Sequence, residues 1–176
     1  MKRFIEYHQM MNATAVTSVT PELDATDLRI LDLLQHDASR SNQDLAAAAH
    51  TSAATCLRRV KRMVDGGIIE RRVAILSPER LAAGLTVITE VTLDRQGAEH
   101  LAAFEQRAVA DNAVQQSYRV SPGPDFMLVL QVADMAAWNT LVERLFTQDA
   151  NVRNVKSFFT VRRAKFQSQI ALPKAR

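Results

Sequence analysis

The tightest constraint in this chain is a pair of helix-start signals set close together, at Ser41 and Ser52. Ser41 with Asp44 is a capping-box-like pair: the hydroxyl can take the backbone N–H three residues on, and the acid sits at the positive helix end. Leu45 and an alanine run follow. Ser52 opens the next helical pattern, and Gly66 and Gly67 stop it. Between the two lies only the turn around His50 and Thr51. Two short helices joined so tightly have helix-turn-helix geometry. A helix ahead of them starts at Asp24, with Asp27 in its first turn and Ile30, Leu31 and Leu34 as an apolar stripe. Leu23 to about Ile69 is therefore expected to hold three helices. Arg71 to Leu76 is expected to add a short strand, closed by Ser77 and Pro78, which would make the motif winged.

The third of these helices carries the chemistry. On a helical wheel, Cys56, Val60, Met63 and Val64 fall on one side and should pack on the first two helices. Thr55, Arg58, Arg59 and Arg62 are placed together on the opposite side, with no carboxylate among them. Guanidiniums bridge phosphates or grip guanine O6 and N7 in bidentate fashion. Ser52, Ala53, Ala54 and Thr55 form the first turn, and the alanines are small enough to approach thymine methyls. In helix-turn-helix motifs the N-terminal end of this helix reaches the base edges. Ala53, Ala54, Thr55 and Arg58 are thus expected near bases, and Arg59 and Arg62 nearer phosphates. An ordinary basic amphipathic helix is the plainer alternative.

The second half of the chain changes period. Thr86 to Leu93 alternates and is β-branched, Leu101, Phe104 and Ala108 make a helix face, and Val114 to Val120 is a strand. A Pro122-Gly123-Pro124 turn leads to Phe126 to Val132, apolar on both faces and so expected to be central. Met135, Trp138, Leu141, Val142 and Leu145 line a second helix, and Val152 to Val161 is a fourth strand. The order βαββαβ is ferredoxin-like. The fold class is α+β, divided into an arm at 1–22, a DNA-binding domain at 23–70, a linker strand and hinge at 71–85, an α/β domain at 86–161 and a basic tail at 162–176.

Composition excludes more than it identifies. In 176 residues, 47% hydrophobic and 23% charged content are globular values, and a net charge of +3 is compatible with nucleic acid without demanding it. No apolar run is long enough to cross a bilayer, and Met1 to Glu22 lacks the apolar stretch of a secretory signal. A cytoplasmic, nucleoid-associated protein is expected. The single cysteine, Cys56, is read as a packing residue, and His8, His36, His50 and His100 are scattered without ligand spacing. Phosphate loops, nucleophile elbows and paired carboxylates are missing, so neither an enzyme, a metal site nor a cofactor is expected. Asp125, beside the Pro-Gly-Pro turn, is either a turn cap or a ligand contact.

Leu23-Asp24-x-x-Asp27-x-x-Ile30-Leu31, Ser41-Asn42-x-x-Leu45 and Ser52-x-x-x-Cys56-x-x-Arg59-Val60-x-Arg62-Met63 together resemble the DNA-binding half of Lrp/AsnC (feast/famine) regulators. Gly67-x-Ile69 and the Leu76-Ser77-Pro78 linker fit as well, and the resemblance runs to Val161. It implies a sequence-specific regulator of double-stranded DNA. It also implies a dimer through the α/β domains, built up to tetramers or octamers, with an amino acid or related metabolite as effector. By the same resemblance, Pro122, Gly123, Asp125 and Phe126 fall in the effector-binding turn. Two departures stand out. His50 occupies the turn position where the family commonly has glycine. Pro122-Gly123 and Asp125-Phe126 stand where it has Gly-Asp or Gly-Glu and then Asp-Tyr, so one carboxylate is missing.

The sheet makes its own case for a dimer. With both helices on one side, Met127, Val129, Ile88 and Phe158 would form an uncovered apolar patch, which a second copy could bury. Two other classes remain open. One is a small-molecule-binding or catalytic α/β protein whose basic helix only meets a partner, without regulatory DNA binding. The other is a largely non-specific DNA organiser.

Overall fold

A computed structural model describes residues 22–81 and 84–174. The arm expected at 1–22 lies outside the described residues apart from Glu22. The chain divides into two compact units, one holding 22–74 together with 167–174 of the described residues, the other Ile75–Phe166.

The first unit is built on three helices, α1 (Ala25–His36), α2 (Asn42–Ala48) and α3 (Ala53–Asp65). Each begins at the residue whose side chain caps it. Asp24 accepts from the N–H groups of Thr26 and Asp27, and Asp27 reaches back to accept from the Asp24 N–H at 3.2 Å, closing a capping box. Ser41 takes the Asp44 N–H and Ser52 the Thr55 N–H. Helices α2 and α3 end alike. The Thr51 N–H donates to Ala46 O and the His50 N–H to Ala47 O, while Ile68 donates to Met63 O and Gly67 to Val64 O. These paired bonds require a left-handed residue after the helix. Gly67 adopts φ +71° and His50 φ +54°. Ile30, Leu34, Leu45, Ala49, Cys56, Val60 and Met63 form the core of this unit. Val64, expected to join them, is exposed.

The second unit has β1 (Leu85–Leu93), α4 (Ala98–Ala110), β2 (Val114–Arg119), β3 (Phe126–Val132), α5 (Met135–Val142) and β4 (Val152–Phe159), the expected βαββαβ order. The sheet is antiparallel throughout, ordered β2-β3-β1-β4, so β3 is central as its apolar run implies. Burial alternates along β1 and β3: Val87, Val91, Phe126, Leu128 and Leu130 meet Phe104, Trp138 and Leu141 from the helices. A π-helical turn, Glu143–Thr147, continues α5 and buries the adjacent Leu145 and Phe146 together. The wider turn lets two consecutive side chains share one face. Ile88, Met127, Val129 and Phe158 lie on the other face of the sheet, as alternation requires.

One expectation is corrected. No strand forms over 71–76; the segment lies outside helix and sheet, with Val73, Ile75 and Leu76 exposed. A strand needs a ladder partner, and none of the described residues pairs with it. The helix-turn-helix is present without its wing.

Candidate nucleic-acid interface and effector turn

Polar contacts between the three helices supplement the apolar face of α3. Asn42, at the start of α2, donates to Ala53 O at 2.9 Å, and Arg29 of α1 donates to Ala49 O at 2.9 Å. Cys56 is fully buried, and that burial pushes its thiol pKa up, as a packing residue's should be. At the helix start, Ser52 Oγ accepts from the Thr55 N–H and donates to Thr55 Oγ1 at 2.9 Å, so the two hydroxyls occupy each other. Ala53 and Ala54 are exposed beside them.

The four cations of α3 divide into two pairs. Arg59 is only 19% exposed: its Nη1 donates to Asp24 Oδ2 at 2.7 Å and to Asp27 Oδ1 at 2.9 Å. Arg62, 46% exposed, donates from Nη2 to Asp27 Oδ2 at 2.6 Å. Asp27 itself is 1% exposed. Hydrogen bonds from the Asp27 N–H and then from Arg59 hold the Asp24 carboxyl below its usual value, and Asp27 and then Asp24 raise the Arg59 guanidinium. Arg58 and Lys61 are both exposed, and among the described residues neither makes an ion pair. Leu57 and Val64 flank them on the solvent side.

The helical wheel therefore resolves differently from the sequence reading. Arg59 sits about 60° from Cys56 around the helix, on the flank facing α1 rather than on the solvent face. Leu57 and Lys61 belong to that solvent face and were missed, although a stricter wheel centred on Cys56 would have found them. The carboxylates that meet Arg59 and Arg62 come from α1. No pattern confined to α3 could reveal them.

In the turn before β3, the Ser121–Pro122 bond is cis and Gly123 has φ +124°, a backbone region that favours glycine. Pro122 and Gly123 are exposed and Asp125 is half-buried. Asp125 Oδ2 accepts the Leu93 N–H at 2.7 Å, and the Asp125 N–H donates to Val91 O at 2.9 Å. The Asp125 carboxylate thus ties the turn to the end of β1. Phe126 is fully buried, its ring centroid 4.8 Å from that of Phe104, and serves the core. A cavity of about 780 Å³ opens at the opposite end of β3, lined by Glu79, Thr86, Asp134, Met135 and Arg163 among others, and none of the turn residues borders it. Among the described residues, no cluster of His, Cys, Asp and Glu could hold a metal ion, and no helix is long and apolar enough to cross a membrane.

Residues 23–64 match the family model for AsnC-type helix-turn-helix domains, and residues 86–170 match that for Lrp/AsnC ligand binding domains. An uncharacterized HTH-type transcriptional regulator of Haemophilus influenzae is 35% identical over 150 residues, spanning 85% of this chain and 89% of that protein. The crystal structure of an AsnC family transcriptional regulator from Agrobacterium tumefaciens has a TM-score of 0.76 and 30% identity, covering 85% of this chain and 97% of that one. A transcriptional regulator from Neisseria meningitidis, solved as a complex with L-Met, gives a TM-score of 0.76 at 27% identity over 85% of this chain and 96% of that one. The chain belongs to the Lrp/AsnC family of DNA-binding transcriptional regulators, its AsnC-type helix-turn-helix followed by the family's ligand-binding domain.

Proposed function

We propose that α3 reads an operator in the major groove, with Ala53, Ala54, Thr55 and Arg58 at the bases, Ser52 and Lys61 at phosphates, and Arg59 and Arg62 holding the helix at its working angle. The observation that carries this is the solvent face of α3: Arg58 and Lys61 stand exposed without carboxylate partners, beside a first turn of small residues. A guanidinium free of local partners can grip guanine, and small side chains let the backbone come close. The working unit is a homodimer joined through the open face of the sheet, with tetramers and octamers as higher assemblies. The effector is an amino acid or related metabolite, supported by the L-Met complex of the Neisseria relative, and it is met near Pro122, Gly123 and Asp125. The protein regulates transcription rather than catalysing a reaction, needs no cofactor or metal, and works on the nucleoid in the cytoplasm.

A shift assay on the chain's own upstream region, with salt varied, tests the reading. Specific complexes should weaken steeply with salt as phosphate contacts release counterions. Replacing Arg58 by Ala should cost about 1–3 kcal/mol and relax specificity while leaving the fold intact. Wild-type affinity and salt slope in that variant would remove α3 as the reader. Footprinting separates discrete operators from general coating of DNA.

A further inference from the structure

Asp27 does more than cap α1. It lies in the first turn of that helix, almost wholly buried, and both oxygens of its carboxylate are engaged. Oδ1 accepts from Arg59 at 2.9 Å, while Oδ2 accepts from Arg62 at 2.6 Å and from the Asp24 N–H at 3.2 Å. Asp24 adds a second carboxylate oxygen to Arg59 at 2.7 Å. Two of the four cations on α3 are thereby neutralised at short range, and Arg59 is pinned firmly enough that its Nε is buried without a partner. The other two, Arg58 and Lys61, are left exposed.

That division has a consequence for recognition. Phosphate attraction is independent of sequence and grows with each free cation, whereas base contacts discriminate. A helix offering all four cations to DNA would gain mostly at the phosphates, on every sequence alike. We propose that Asp27 is a specificity-setting positioning residue: by sequestering Arg59 and Arg62 it suppresses non-operator affinity and leaves discrimination to Arg58, with Lys61 as the free phosphate contact. The inference rests on α3 being the DNA reader. It adds that the buried carboxylate stays engaged with both arginines in the DNA complex.

The test uses the full chain and fluorescence anisotropy with two duplexes of equal length, one from its own upstream region and one scrambled, between 50 and 200 mM salt, the range over which phosphate contacts are lost. Four variants are compared: Asp27→Asn, Arg62→Gln, Lys61→Gln and Asp32→Asn. The last removes an exposed negative charge from α1 without freeing an arginine, so it controls for net charge. Asp27→Asn should tighten binding to the scrambled duplex several-fold, steepen the slope of log K against log salt by about 1–2, and shrink the ratio between the duplexes. Asp32→Asn should do none of these. Arg62→Gln should keep the wild-type slope, because its charge is already balanced, while Lys61→Gln, which removes the free phosphate contact, should lower it by about 1.

If Arg62→Gln lowers the slope as Lys61→Gln does, Arg62 leaves Asp27 for a phosphate and the proposal falls while α3 remains the reader. If the slope is unchanged in both Lys61→Gln and Arg62→Gln, the reading of α3 itself falls. An Asp27→Asn chain that melts below the assay temperature leaves the decision to Arg62→Gln, an exposed position where the fold tolerates the change. A folded Asp27→Asn chain with wild-type slope and ratio overturns the proposal outright.

Discussion

His50 shows how much a single residue can absorb. Its φ of +54° lies in the left-handed region, where an L side chain ordinarily loses about 1–2 kcal/mol. The turn between α2 and α3 needs that conformation to complete its paired hydrogen bonds, and histidine tolerates it better than β-branched residues do. The side chain is exposed. His50→Gly should therefore stabilise the unit by up to about 1 kcal/mol, after the extra unfolded-state entropy of glycine is deducted. A rise in melting temperature is expected; a fall would mean that the imidazole makes a contact of its own. Asp125 is the opposite case, a residue whose side chain has a partner far along the chain. Its bond to the Leu93 N–H ties the turn to the end of β1. Asp125→Ala should cost about 1–3 kcal/mol of stability by orphaning that N–H, and should abolish any response to amino acids while sparing DNA binding. Thermal melts and titration calorimetry on the folded variant separate the two effects. A variant that melts like wild type would deny the bond to Leu93 any weight in the fold.

At the scale of elements, periodicity was a good guide to existence and a poor one to partnership. The three helices of the first unit start where their caps stand, and the alternation of β1 and β3 divides core from open face residue by residue. The strand expected over 71–76 failed because its propensity had no ladder to join. The C-terminal segment shows the reverse. Its composition suggested only a basic tail, yet Gln35 of α1 accepts from the Ile170 N–H at 3.1 Å and donates to Ile170 O at 3.2 Å, and Leu172 packs on the helical core. The open face of the sheet belongs to this scale as well. Val129 stands opposite Ile88 in the register, and Ile88 opposite Phe158. A carboxylate placed there by Val129→Asp should leave the α/β core intact, since Val129 points away from it. It should split the dimer and weaken operator binding without touching DNA. An unchanged assembly in that variant would move the interface elsewhere.

For the whole molecule the decisive quantity is the oligomeric state. A two-fold pair presents two recognition helices, and such dimers bind half-sites one helical turn, about 34 Å, apart. Sedimentation at low micromolar concentration should give a dimer or a multiple of it, and the operator should be close to palindromic. A monomer that binds its operator tightly would sink this assembly. The family tie reaches across both units, since 23–64 lies in the first and all but the last four residues of 86–170 lie in the second.

What the sequence by itself determined was local: caps at Asp24, Ser41 and Ser52, the tight turn around His50, the βαββαβ order, and the burial of Cys56. Each is written within a few residues of chain, where hydrogen-bond geometry and side-chain period act directly. Only the tertiary structure decided which charges on α3 remain available. The carboxylates of Asp24 and Asp27 lie more than thirty positions upstream of Arg59 and Arg62, and the core brings them within 2.6–2.9 Å. Electrostatic contacts depend on distance in space, which periodicity along one helix does not encode.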